Sequence, residues 1–218
     1  MEFKVVLFDL DGTLTDPKEG ITKSCQYGLR AVGIDVPDLK ELEQFIGPPL
    51  IPAFQEVYGI TEEQAHIAVD KFRERFAPIG IMENELLEGV PQMLKKLKEE
   101  GKTVAIASSK PEPFVKQILQ HFEVDRYFDE MIGSTMDEKH AGKAEVVANA
   151  LSRLGIENMN REEIIMVGDR LHDVEGAAAH GIKTIGVTFG YGGRDELQKA
   201  GAWEIVDNME ELTALLCR

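Results

Sequence analysis

Cysteine is nearly absent: the chain carries only Cys25 and Cys217. They stand far apart, without neighbours at metal-ligand spacing, which excludes a disulfide framework and a cysteine-based zinc site. Both are expected to be reduced thiols in a cytoplasmic protein. No apolar run approaches the roughly 20 residues of a membrane span, and the first residues lead straight into a strand without a signal-peptide pattern, so no membrane contact is expected. Positive charge is also scarce. Lys and Arg number 24 against 39 Asp and Glu, giving a net charge of −15. A nucleic acid polymer requires a basic surface and is therefore not an expected partner. A small phosphorylated molecule remains open, provided a cation and a few local donors offset the field. Internal repeats and low-complexity tails are missing as well.

What is present is the material of a core, with 43% hydrophobic residues. The stretch from Phe3 to Thr15 opens with a run of β-formers and ends on two carboxylates, Asp9 and Asp11, followed by Gly12. A continuous apolar run of that length reads as a strand buried on both faces of a parallel sheet. The pattern from about Glu19 to Ala77 is helical instead. Ile21, Cys25, Leu29 and Val32 form an amphipathic stripe. Thr61 to Gln64 reads as a capping box for a long helix, and Gly47-Pro48-Pro49 breaks the segment before it. From Gly89 onward strands alternate with helices. Strands are expected at Thr103 to Ala107, Phe128 to Gly133, Ile164 to Val167, Lys183 to Val187 and Trp203 to Val206. The fold class is therefore α/β: a Rossmann-like parallel sheet of about six strands with an inserted α-helical domain. Residues 1–15 and 83–218 form the core in this reading, and 16–82 the insertion.

The residues that follow the strong strands carry the chemistry. The carboxyl ends of parallel strands share one edge, where open α/β sheets bind ligands. Asp9 and Asp11 fall at the first strand end, Ser108-Ser109-Lys110 at the next, and Asp169-Arg170 with Asp173 at another. The segment His140 to Lys143 precedes a core helix. Carboxylates brought together at about 4 Å repel by roughly 4 kcal/mol per pair at an effective dielectric of 20, so a cation is needed among them. Oxygen ligands without His or Cys favour Mg²⁺. A metal beside a hydroxyl, a lysine and strand-end amides makes a phosphate site.

Four segments, D-L-D-G-T-L-T from Asp9, A-S-S-K from Ala107, G-K-A-E-V-V from Gly142 and V-G-D-R-L-H-D from Val167, resemble the four motifs of the haloacid dehalogenase-like hydrolase superfamily in their order. The helical insertion resembles the cap of the branch that includes phosphoglycolate phosphatases and β-phosphoglucomutases. F-I-G-P-P-L from Phe45 and T-F-G-Y-G-G from Thr188 are most similar to proteins of the 5′-nucleotidase-like and phosphoglycolate phosphatase-like kinds. The resemblance implies a Mg²⁺-dependent phosphomonoester hydrolase. Asp9 would be the nucleophile that becomes an aspartyl-phosphate, and Asp11 the general acid and base. Gly12, Ser108, Ser109 and Lys143 would hold the phosphoryl group. Asp9, Asp169 and the backbone carbonyl of Asp11 would hold the metal, with Asp173 in support.

Asp11 decides between chemistries, because the family's dehalogenases lack an acid there. Phosphatase is the expected activity; a phosphomutase and a non-catalytic phosphometabolite-binding module are the alternatives. The expected partner is a small phosphorylated metabolite, a nucleoside 5′-monophosphate or a phosphoglycolate-like acid. Asp16, Glu19, Ile21, Thr22 and the Gly47-Pro48-Pro49 turn are candidates for contact with its leaving group. Arg170 and His172 read as surface residues of their turn, and His66, His121 and His180 as surface helix positions. The loop Gly190 to Gly193 reads equally as a substrate contact or a connector. Lys110 and Lys139 are the rivals of Lys143 for the phosphate.

Overall fold

A computed structural model describes residues 2–136 and 142–218 of the protein. The chain divides into two compact units, one made of residues up to Thr15 together with Leu86–Arg218 and the other of Asp16–Glu85. In chain order the elements are β1 (Val5–Phe8), β2 (Thr15–Asp16), α1 (Lys18–Ala31), α2 (Leu50–Tyr58), α3 (Glu62–Phe76), β3 (Glu85–Leu86), α4 (Val90–Glu99), β4 (Thr103–Pro111), α5 (Glu112–His121) and β5 (Glu130–Ser134). There follow α6 (Lys143–Arg153), β6 (Ile164–Gly168), α7 (Leu171–Ala178), β7 (Lys183–Val187), α8 (Gly193–Ala200), β8 (Glu204–Val206) and α9 (Met209–Leu216). Short 3₁₀ turns cover Leu39–Phe45, Gly80–Met82, Asp125–Tyr127 and Arg161–Glu163. The segment that includes Lys139 and His140 lies outside the described residues.

The larger unit holds a six-stranded parallel sheet in the order β5-β4-β1-β6-β7-β8. β1 is central, with Val5 opposite Thr103 on one side and Ile164 on the other. The order runs outward from β1 in both directions, so the crevice beyond its carboxyl end is the switch point at which such sheets bind ligands. Alternate residues Val5, Leu7, Ala105, Ala107, Ile164 and Met166 pack with Val146, Val147, Ala150 and Leu151 of α6. The intervening set, Val6, Phe8, Val104, Ile106, Ile165 and Val167, is equally buried. Burial on both faces explains why these strands lack polar alternation. Each buried Val, Leu, Ile, Met or Phe among them contributes roughly 1.5–3 kcal/mol.

One strand is longer than its sequence suggests. β4 runs on to Pro111 with a shift of register after Ala107, so Ser108, Ser109 and Lys110 lie within it. Pro111 is the residue just before α5, with φ −53° and ψ 131°, and Pro113 falls in the first turn, where a missing N–H costs nothing.

The smaller unit is helical. Gly28 lets α1 approach α3 closely: a Cβ there would meet the Ala68 carbonyl oxygen at 2.3 Å. Thr61 and Gln64 form the expected capping box, with Gln64 N–H donating to Thr61 Oγ1 at 3.2 Å and Thr61 N–H to Gln64 Oε1 at 3.0 Å. The prolines at Gly47-Pro48-Pro49 separate a further helix, α2, whose first turn tolerates Pro52. The two chain crossings, β2 and β3, pair as a short ribbon.

Candidate active site

Asp9 lies one residue beyond β1, and its N–H donates to the Val167 carbonyl at 2.9 Å, extending the pairing with β6. The chain then folds over the Leu10 carbonyl, which accepts the N–H groups of Thr13, Leu14 and Thr15 at 3.2, 2.9 and 3.1 Å. Gly12 turns with φ +80°, and a Cβ there would stand 2.3 Å from Asp169 Oδ2. Only glycine meets both demands.

Asp9, Asp169 and Asp173 are buried and bring one carboxylate oxygen each within 4.8 Å of the others. Lys143, the first residue of α6, joins them. Its Nζ lies 2.8 Å from Asp9 Oδ1 and 2.7 Å from Asp173 Oδ1, and donates to the Ala107 carbonyl at 3.0 Å. The contact with Asp173 is an ion pair out of hydrogen-bond alignment. A cation at a helix N-terminus opposes the macrodipole; here the two carboxylates compensate. The stem of Lys143 passes Gly176 of α7, where a Cβ would fall 2.5 Å from Lys143 Cγ. Asp173 Oδ2 accepts the Arg170 N–H at 3.0 Å, and Asp169 Oδ2 accepts the Tyr191 N–H at 2.7 Å.

Asp11 has different company. Its carboxylate pairs with Lys110, both side chains being 7% exposed. Ser108 is buried and its Oγ accepts the Lys110 N–H at 3.3 Å, while Ser109 is half-buried in the same strand. The sheet edge therefore gathers Asp9, Asp11, Gly12, Ser108, Lys143, Asp169 and Asp173.

Five features stand otherwise than expected, were left open, or were missed. Arg170 is not a surface residue: its Nε donates to Glu196 Oε1 at 2.9 Å, and that same oxygen accepts the Leu171 N–H at 2.8 Å, because α8 packs over the turn. His180 is half-buried and its ring N–H donates to the Ala144 carbonyl at 2.7 Å, bracing the start of α6. The Gly190 to Gly193 loop adjoins the site, since Tyr191 donates to Asp169 and a Cβ at Gly190 would stand 2.4 Å from Asp169 Cβ. Lys110 reaches Asp11 across 99 residues, a pairing that spacing could not reveal. The signal for Gly176 was a glycine inside a helix, where it ordinarily costs stability.

Burial governs the titration of these groups. It raises the Asp11 carboxyl against the pull of Lys110. Burial, then repulsion from Asp173 and Asp9, lifts Asp169 well above the usual carboxylate range. Asp173 is pushed up to about 6, again chiefly by burial, with Lys143 opposing. For Lys143 burial works against the charge, but Asp173 and Asp9 outweigh it and hold the ammonium firmly protonated. Four carboxylates thus face two ammonium groups. Asp169 Oδ1 and Asp11 Oδ1 are buried without a hydrogen-bond partner among the described residues. These orphaned buried oxygens leave capacity for a further partner, and an all-oxygen donor set fits Mg²⁺.

The family profile described as haloacid dehalogenase-like hydrolase matches residues 6–187, a span that includes Asp9, Asp11, Ser108, Lys143, Asp169 and Asp173. The chain belongs to this family. Among curated relatives, a 5′-nucleotidase of Pseudomonas aeruginosa is 44% identical over 91% of this chain and 88% of that protein. The tyrosine-protein kinase PtkA of Mycobacterium tuberculosis is 38% identical over 90% of this chain and 66% of its own length. Among solved structures, a predicted phosphatase from Clostridium acetobutylicum superposes with a TM-score of 0.95 at 44% identity, covering 99% of both chains. The chain is accordingly a haloacid dehalogenase-like hydrolase of the phosphatase class.

Proposed function

We propose that this hydrolase is a Mg²⁺-dependent phosphomonoesterase that works through an aspartyl-phosphate on Asp9. The observation that carries this reading is the separation of Asp9 and Asp11 into unlike surroundings. Asp9 sits among acids beside Lys143, as a nucleophile needs, and Asp11 sits apart, raised by burial, as a proton donor needs. Asp9, Asp169 and the Asp11 carbonyl would hold the metal, with Asp173 supporting them. When bound, the metal supplies charge that polarises the phosphoryl oxygens.

In the first step an Asp9 oxygen bonds to phosphorus, the ester P–O bond breaks, and Asp11 gives its proton to the leaving alkoxide. In the second, Asp11 takes a proton from water as that water attacks phosphorus, the Asp9–phosphorus bond breaks, and inorganic phosphate leaves. Lys143, Ser108, Ser109 and the turn at Gly12 hold the phosphoryl oxygens throughout. The helical unit, inserted directly after Thr15, is the cap in this reading and supplies leaving-group contacts. The substrate class is a small phosphorylated metabolite in the cytoplasm, with nucleoside 5′-monophosphates first, in keeping with the 44% identical 5′-nucleotidase.

A panel containing AMP, phosphoglycolate and β-glucose 1-phosphate tests the proposal. Inorganic phosphate should appear with Mg²⁺ and cease with EDTA, and kcat/KM should be highest for the nucleotide. An isomerised sugar phosphate without free phosphate would point to a mutase. No turnover of any member would refute catalysis.

A further inference from the structure

The polar side of α1 is more than a solvated face. The buried stripe of this helix runs through Ile21, Cys25, Gly28 and Leu29. Lys23, Gln26, Tyr27 and Arg30 follow one another at helical spacing on the remaining surface. With Leu39 and Arg75 they line a pocket of about 310 Å³ wholly within the helical unit, the size of a small ligand site. Residues 16–85 contain thirteen Asp and Glu against seven Lys and Arg. Three of those seven cations line this one pocket, and none of its lining residues is an acid.

The cations differ in how firmly they are held. Arg75 is fixed: its guanidinium makes a forked pair with both Glu83 oxygens at 2.8 and 3.0 Å and donates to Ser24 Oγ at 3.1 Å. Arg30 is held loosely, by the exposed carboxylate of Asp35, and Lys23 by the exposed carboxylate of Glu19 with a longer contact, 3.5 Å, to Glu83. Exposed pairs of this kind are worth about 0–1 kcal/mol and exchange readily for a stronger anion. Tyr27, 43% exposed, is anchored through its hydroxyl to Glu74 Oε1 at 2.8 Å, which leaves a ring beside the cations. Gln26 is fixed by donating to the Val36 carbonyl at 2.7 Å.

We infer that this pocket binds a small phosphorylated ligand of at least two negative charges, at a site separate from the acid cluster of the sheet edge. Arg30 exchanges Asp35, and Lys23 exchanges Glu19, for the phosphate oxygens, while Arg75 and Glu83 fix the floor. Guanidinium and ammonium groups on one face suit the oxygens of a phosphate dianion.

Residue-resolved NMR of the isotopically labelled full chain, titrated with inorganic pyrophosphate in EDTA, separates this site from the catalytic one. Amide shifts are expected to saturate at Lys23, Gln26, Tyr27 and Arg30. The double variant Lys23→Ala/Arg30→Ala changes one exposed and one half-buried surface side chain, and its spectrum reports whether it folds. It should weaken binding at these amides by about tenfold or more, the loss of a charge-assisted contact, while any shifts at residues 9–13 stay as in wild type. The inference is overturned if α1 shows no shifts at roughly millimolar pyrophosphate, the weak end of specific recognition, or if the double variant titrates like wild type. Either result leaves the phosphatase reading untouched, since that rests on the acid cluster.

Discussion

Lys110 and Asp11 form the most informative pair of side chains in the molecule. A buried ion pair at the proposed proton donor holds the carboxylate in one orientation and lowers the pH at which it ionises. Replacing Lys110 by methionine should leave KM nearly unchanged and lower kcat. The ionisation of Asp11 in the pH–rate profile should move to higher pH, because the opposing charge is gone. An unshifted profile would make Lys110 a structural residue only. Glu83 offers a second test at this scale. Its hydrogen bonds from Arg75 hold its carboxyl below the usual carboxylate range. A depressed folded value means that the pair stabilises above the unfolded value, near 4.3, and that this stability fades as pH falls through the folded value. Thermal unfolding of Glu83→Gln should therefore match wild type in strong acid and fall below it near neutrality.

Among the elements, α1 and α3 depend on a single close approach. Alanine normally stabilises a helix interior over glycine by about 0.5–1 kcal/mol. Gly28→Ala should do the reverse, destabilising by about 1–3 kcal/mol, because its Cβ meets the Ala68 carbonyl and not a flexible side chain. Chemical denaturation measures the sign directly. The strands were legible because both faces are buried, so Val5–Phe8 and Ile164–Gly168 stand out as apolar runs. The end of β4 was not, since Ser108-Ser109-Lys110 reads as a loop by composition yet belongs to the strand, in the irregularity between the pairs Ala107–Ile132 and Pro111–Ser134. Nor was α2 readable as a separate helix, because the prolines that open it also signal a break.

At the scale of the whole molecule, parallel topology turns residues far apart in the chain into neighbours. Asp9, Lys143 and Asp169 were legible as a site because each stands at a strand end or a core helix start, and the sheet order brings those positions to one edge. Contacts made by backbone left no such trace. The Tyr191 N–H on Asp169 and the Ala107 carbonyl on Lys143 depend on no side-chain type. The space around Lys143 and Asp169 comes from Gly176 and Gly190, which alone suggest only flexibility. On the proposed reading, a molecule of net charge −15 that sets its site lysines on buried aspartates takes up its phosphorylated substrate together with a divalent cation. The most direct measurement is to quench a single turnover with Mg²⁺ and phosphomonoester, reduce any acyl-phosphate with borohydride, which releases the phosphate and turns the aspartate into homoserine, and locate the homoserine by peptide mass spectrometry. Homoserine is predicted at position 9 and absent in Asp9→Asn. Turnover without homoserine, or homoserine at another aspartate, would contradict the account.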